Sequence, residues 1–217
     1  NDSKKTENNG AKTKSPESRG GFIEWLKSIA WSLAIFLVLR TFVIQTWVIT
    51  SGSMEPTLLV GDMLMLNKVA YGATVPGTHK RLPGYTTPHR HDIIVFRSPV
   101  DTLDLIKRLI GMPGDTLLMK DGNLFLNGKQ QVEHYAHHST PMPYDVNNWG
   151  PIVVPAQRYF VMGDNRDNSL DSRFWGFLDP ARVKGKAFVI YYSYERDSGK
   201  AFPFLHARLN RIGHPIR

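Results

Sequence analysis

Cysteine is absent from the 217 residues, which excludes disulfide scaffolds, thiol nucleophiles and cysteine-bound zinc while leaving the redox compartment undecided. No five-residue run of Lys and Arg occurs either. The net charge of +8 therefore comes with no recognisable nucleic-acid signature, and anionic lipid headgroups attract the same charge. No nucleic-acid partner is expected. Uninterrupted apolar length is also scarce: the uncharged heart of the most apolar stretch, Ser28 to Leu39, is twelve residues. The mean hydropathy of -0.28 excludes a protein that crosses a membrane many times. There is no internal repeat.

What is present suits one globular unit with an appendage. Residues 1–21 carry Asn, Lys, Ser, Glu and Gly but no large apolar side chain. Such a stretch cannot bury enough surface to offset the entropy of ordering, which predicts a disordered tail. From Phe22 the chain turns apolar. Twelve uncharged residues alone fit a buried helix or a signal-peptide core, but the flanks favour a membrane. Trp25 and Lys27 suit one interface, Arg40 can snorkel to the other, and Trp25 to Thr41 spans roughly 26 Å as a helix. A single transmembrane helix is expected over 22–44. Lys4, Lys5, Lys12, Lys14 and Arg19 precede it, whereas Arg40 is the only nearby positive charge beyond it until Lys68. The positive-inside rule places the tail in the cytoplasm and the body outside.

Beyond Thr41, short β-like runs bounded by Gly and Pro replace the helical pattern. Candidate strands are 63–66, 93–96, 116–119, 124–126, 159–162 and 187–192, with Lys120-Asp121-Gly122-Asn123 and Asn127-Gly128 as turns. The expected fold class is mostly β: an antiparallel body over 45–217 behind one N-terminal helix. A polar stretch rich in His and Pro, Gln130 to Pro155, reads as an excursion, part of a small cap-like insertion of about 120–155.

Three separated blocks combine Ser, Lys, Asp and Gly in ways a β core does not require: Ser51 to Asp62, Leu105 to Asp115 and Gly163 to Gly176. The first contains Ser51-Gly52-Ser53-Met54-Glu55-Pro56-Thr57. An unassisted hydroxyl is a weak nucleophile at neutral pH, so Ser53 needs a proton acceptor. Lys107, in the apolar run Leu105-Ile106-Lys107, can be one, because burial favours the neutral amine and lowers a lysine pKa by roughly 3 to 5 units. From the residues alone, a solvated lysine on an edge strand is the competing reading. In this order, behind an apolar anchor, the blocks resemble the type I signal peptidases (peptidase S26), membrane-anchored Ser/Lys endopeptidases of the bacterial type. The resemblance runs from the anchor to about Tyr192.

That resemblance implies a signal-peptidase-like β fold. It also implies an enzyme of the bacterial plasma membrane that removes signal peptides from exported preproteins after small residues, of Ala-x-Ala type. Ser53 would be the nucleophile and Lys107 the general base, through an acyl-enzyme. The Ser53 N–H and the Ser51 hydroxyl would stabilise the oxyanion, and Ser169 would hydrogen-bond the lysine amine. Asp171 would pair with Arg173 or Arg108, and Arg108, Asp164, Asp171 and Arg173 would hold the site's geometry. Ile49 and Ile106 would line the pockets for the small residues, an extended peptide adding to the strands around 47–51 and 104–107. No metal or organic cofactor is implied. The implied partners are preprotein signal peptides, membrane lipids and the export machinery.

Alternatives stand beside this. Lys68 is a second candidate base, nearer in sequence to Ser53. His134, His137 and His138 could bind a metal, though no further ligand sits at a compelling spacing, and six of the eight histidines, His79, His89 and His91 among them, fall in loop-like surroundings. A catalytically silent homologue and a self-cleaving DNA-bound regulator are the rival functions. Two positions depart from the family pattern: Thr50 where proline is common, and His91 where glycine is usual, which puts in doubt a turn there with positive φ.

Overall fold

The computed structural model describes residues 18–75, 77, 78, 80–138, 146–196 and 206–216. Residues 1–17 of the expected tail and His79 lie outside these. Helix α1 is Ser18–Val38, so residues 18–21 are helical rather than tail. Its apolar side chains follow one another around the axis instead of forming one stripe, the pattern of a helix with no wet face. The stretch Gly21–Val43, 23 residues, is long and apolar enough to cross a membrane. The helix loosens into a wider turn over Leu39–Val43, and strand β1, Ile44–Val48, begins where the helix was expected to end. Thr41, Val43, Ile44, Thr46 and Val48 are all β-branched, which favours the extended form.

The body, from Leu39 onward, is a compact unit of its own, built mainly on a seven-stranded antiparallel sheet in the order β1-β2-β10-β3-β4-β9, with β11 on β10. The strands are β2 Asp62–Asn67, β3 Ile93–Arg97, β4 Asp104–Gly111, β9 Phe160–Met162, β10 Val183–Ser193 and β11 His214–Pro215. β2 alternates buried and half-buried residues along its whole length, as a strand with one face on a core must. β10 is eleven residues long and breaks register twice against β2; the bulges bend it so that one strand can pair with β2, β3 and β11.

The expected insertion is a second sheet, β7-β6-β5-β8, formed by β5 Thr116–Lys120, β6 Asn123–Leu126, β7 Lys129–Gln130 and β8 Trp149–Val153. It starts four residues before the expected boundary. β8 runs inside the stretch expected to be a polar excursion. Asp121 and Gly122 (φ 49 and 75), and Asn127 and Gly128 (φ 51 and 79), make the two hairpin turns, the left-handed pairs that Asp-Gly and Asn-Gly supply.

Three buried clusters fill the body, and one positions the site. Ile49, Met54, Leu58, Leu64, Ile93, Ala187, Ile190 and Ile216 pack together beneath the loop that joins β1 to β2. Burying such aliphatic side chains contributes roughly 1.5–3 kcal/mol each, so the loop is anchored by its own Met54 and Leu58.

Candidate active site

The β1–β2 connection carries the first block. Ser51 is extended (φ -134, ψ 151), and Gly52–Met54 form one 3-10 turn. Ser53 sits in the first turn of this helix, where backbone N–H groups lack intrahelical acceptors and point outward. The Ser51 hydroxyl makes no capping bond to it. Ser53 is 8% exposed and Lys107, on β4, only 3%; 54 residues apart in sequence, their Nζ and Oγ atoms are 2.6 Å apart.

The lysine's surroundings decide its protonation. Burial lowers its pKa from 10.5 to about 8, against Asp171 and Asp164, which raise it, and with Arg173, which lowers it. Lys68, the rival base, lies at the opposite end of β2 from Asp62, roughly 20 Å away along a six-residue strand, and its amine donates to the Thr41 carbonyl at 2.5 Å. It takes no part in the site.

Two fork-to-fork ion pairs sit behind the dyad. Arg108 donates to Asp164 through Nε (2.8 Å) and Nη2 (2.7 Å), and Arg173 donates to Asp171 through Nε and Nη2, both 2.9 Å. Of the two partners expected for Asp171, Arg173 is the one found. The Asp171 carboxylate also accepts from the Gly163 N–H at 2.9 Å. The Ser169 hydroxyl is buried but makes no hydrogen bond among the described residues, so the expected bond to the lysine amine is not formed. Ser169 nevertheless belongs to the site: a Cβ on Gly163 would fall 2.3 Å from its Oγ and 2.4 Å from the Ser53 carbonyl oxygen.

Ile49, buried, and Ile106, half-buried, line a groove of about 570 Å³ that also takes in Trp47, Ser51, Leu103 and Asp104 and ends at Ser53 and Lys107. Ile49 spends both its backbone groups on the β2 side, donating to Asp62 and accepting from Gly61. Alternation along the strand turns the backbone groups of Val48 and Thr50 the other way, and the Asp104–Lys107 half of β4 pairs with β3 but not with β9. Among the described residues, two strand edges without a pairing partner therefore face one groove.

Several contributors were missed at the level of sequence. Asn165 donates from its backbone to the Ser53 carbonyl and from its side chain to Gly52, both at 3.1 Å, and Thr57 donates to Asp164 at 2.5 Å. From the insertion, Glu133 accepts both Arg166 forks at 2.7 and 2.8 Å. The Tyr135 ring lies 4.0 Å beneath the Arg108 guanidinium. His91 does adopt positive φ, 71, and its imidazole meets the Tyr135 hydroxyl at 3.0 Å. His137 is held by its backbone to Asp164 and Arg166, and among the described residues no group of three or more His, Asp or Glu could hold a metal ion.

A signal-peptidase family model, described as "Signal peptidase, peptidase S26", matches residues 22–192. The chain belongs to this family. Signal peptidase relatives with curated names include the probable signal peptidase I-2 of Synechocystis sp., 36% identical over 86% of this chain and 80% of its own length. Signal peptidase I of Pseudomonas aeruginosa is 35% identical over 79% and 73%, and signal peptidase I P of Bacillus subtilis subsp. natto 35% identical over 84% and 96%. A crystal structure of a signal peptidase I from Enterococcus faecalis is 35% identical and covers 46% of this chain and 97% of its own, with a TM-score of 0.39.

Proposed function

We propose that this member of the signal peptidase family cleaves signal peptides from preproteins as a Ser/Lys endopeptidase. The observation that carries the reading is the 2.6 Å contact between Ser53 Oγ and a Lys107 amine buried enough to titrate at about 8. In its neutral form the amine accepts the Ser53 proton as Oγ bonds to the scissile carbonyl carbon. The carbonyl oxygen, now carrying the negative charge, is met by the Ser53 N–H and the Ser51 hydroxyl. The lysine ammonium then gives its proton to the leaving amine, the C–N bond breaks, and an acyl-serine is left. Water, deprotonated by the same amine, attacks the ester, and Ser53 recovers the proton. Serine and lysine carry every transfer, so neither metal nor organic cofactor enters the scheme. Once Ser53 Oγ is tied up in the ester, the lysine amine loses its partner, and the buried Ser169 hydroxyl takes that place.

The substrate enters as an added strand between the free edges at 47–51 and 104–107. Ile49 and Ile106 close the groove against long side chains, which favours small residues before the cut, of the Ala-x-Ala kind. Gly21–Val43 anchors the chain in the bacterial plasma membrane, tail inward and body outward, with lipids and the export machinery as neighbours. Purified enzyme, Ser53→Ala and Lys107→Met are compared on a preprotein with an Ala-x-Ala signal. Cleavage by Lys107→Met at the wild-type rate refutes the mechanism, and resistance of the body to protease added outside intact cells refutes the orientation.

A further inference from the structure

Contacts from four distant residues help to hold the β1–β2 connection that carries Ser53. Two come from within the family blocks: Asn165, on the carbonyls of Gly52 and Ser53, and Asp164, on the Thr57 hydroxyl. The other two come from the C-terminal segment 206–216, which lies beyond the family match at 22–192. Arg208 donates to the Val60 carbonyl at 3.0 Å. Arg211 donates to the Thr57 carbonyl at 3.0 Å and to Asp62 through Nε at 3.0 Å and Nη2 at 2.5 Å. Asp62 is wholly buried at the head of β2, with Ser193 and the Leu59 N–H as its other donors. A few residues on, Ile216 packs in the same cluster as Met54 and Leu58, the residues that follow Ser53.

We infer that Arg211 is a positioning residue for the nucleophile, acting through Thr57 and Asp62 from the end of the chain; the inference rests on the signal-peptidase reading above. Thr57 is the node. Its hydroxyl is held by Asp164, itself paired with Arg108, and its carbonyl by Arg211, so the segment closing on Met54 through the Leu58 N–H bond (2.9 Å) is gripped from both sides. The planar guanidinium suits the task because it presents several donors in a fixed fork, whereas an ammonium is a point charge that can satisfy Asp62 without reaching the Thr57 carbonyl in the same geometry. Arg211 touches neither Lys107 nor the groove, so its loss moves Ser53 without retuning the base. Misplacing a reacting atom by about 1 Å costs on the order of 100-fold in rate, and a loosened rather than displaced serine loses about tenfold.

The test is cleavage of a preprotein by the full chain in detergent micelles, with Ser53→Ala as the blank, at a temperature well below each variant's unfolding midpoint. Arg211→Gln is expected to lower kcat about tenfold with KM within about twofold, to slow labelling of Ser53 by a fluorophosphonate in proportion, and to leave the pH midpoint unmoved. Arg211→Lys, which keeps the buried Asp62 paired and so tolerates folding better, is expected at about threefold. If the arginine were purely stabilising, its replacement would lower only the unfolding midpoint. Wild-type kcat and labelling rates in Arg211→Lys, or in a folded Arg211→Gln, overturn the inference while leaving the enzyme's function standing. A wild-type chain that cleaves no faster than Ser53→Ala overturns the signal-peptidase reading first, and this inference with it.

Discussion

The pH dependence of cleavage follows from one buried amine. In the proposed mechanism only neutral Lys107 can accept the Ser53 proton, and its pKa is lowered from 10.5 to about 8, chiefly by burial. At pH 7 roughly a tenth of the enzyme holds the base in its working form, at pH 6 about a hundredth, and at pH 9 about nine-tenths. Measured as kcat/KM on a preprotein at constant ionic strength, activity is therefore expected to rise about tenfold from pH 6 to 7 and about fivefold from 7 to 8. It should then level off. The same shift is a stability statement. Holding a charged lysine in that site costs about 3 kcal/mol at about 1.36 kcal/mol per unit. The folded pKa lies below the unfolded one, so the cost is fully present below pH 8 and vanishes as pH rises through 10.5. Lys107→Met, similar in volume and uncharged, is expected to be more stable than wild type near pH 7 by up to about 3 kcal/mol, and the gap should close between pH 8 and 10.5. Denaturant unfolding of the two proteins at several pH values reads the gap directly and cancels titration shared by both. A rate midpoint near 6.5 would place the proton on a histidine, and one at or above 10 would leave the lysine solvated; either refutes the assignment. So does a stability difference that ignores pH.

Other changes probe the surroundings of the dyad. Gly163→Ala puts a methyl 2.3–2.4 Å from Ser169 Oγ and the Ser53 carbonyl, so kcat should fall on the order of 100-fold, measured beside a melting curve that separates displacement from unfolding. Glu133→Ala strips both partners from the Arg166 forks, where the two side chains are 1% and 7% exposed, and should lower unfolding free energy by about 3 kcal/mol. At His91, φ 71 strains a side chain that is held by Tyr135, so Gly should exceed Ala in stability by about 1 kcal/mol in the same assay. Arg173→Gln removes the cation that lowers Lys107 while Asp171, which raises it, remains; the midpoint of the rate profile should move to higher pH, and a shift to lower pH would contradict the electrostatics.

How far the sequence discloses this site depends on where each signal lives. Ser53 and Lys107 stand out because each lies in a local block with its own character, a Ser-Gly-Ser turn and a lysine among aliphatics, but pairing them rests on the likeness of the three blocks to the signal peptidases, since the residues alone leave a solvated lysine open; β-branched and aromatic runs mark most of the strands around them. The hairpin turns are legible for a similar reason, since Asp-Gly and Asn-Gly are the residues that left-handed turns require. Asn165 is not, although it lies inside a block that was singled out: its acceptors on Gly52 and Ser53 are more than a hundred positions away, and no local pattern encodes a long-range bond. The insertion hid β8 because Trp149-Gly150-Pro151-Ile152-Val153 contains Gly and Pro, which argue against a strand until its partner β5 supplies the pairing. Ser169 marks the opposite limit. Its expected place beside the lysine comes from the family resemblance alone, and its hydrogen bonding depends on where the lysine amine points.

The arginines behind Ser53 and Lys107 bear on how a lysine could serve as the proposed base. A histidine begins near the working pH, but a lysine has to be brought down from 10.5 by being kept out of water. The carboxylates of Asp164 and Asp171 would undo this if left bare, since both raise the Lys107 pKa. Each is instead closed fork-to-fork by an arginine, Arg108 or Arg173; Arg173 lowers the lysine pKa against the two carboxylates, and burial outweighs them. The pairs also shape the loops, because Asp171 holds the Gly163 N–H and Asp164 holds Thr57. A neutral side chain in place of each aspartate would spare the lysine the same field but would leave a buried arginine unpaired, at a cost of about 3–5 kcal/mol. Paired charges therefore meet both demands here: enough polarity to fix the loops, and a net field small enough that burial still lowers the lysine pKa.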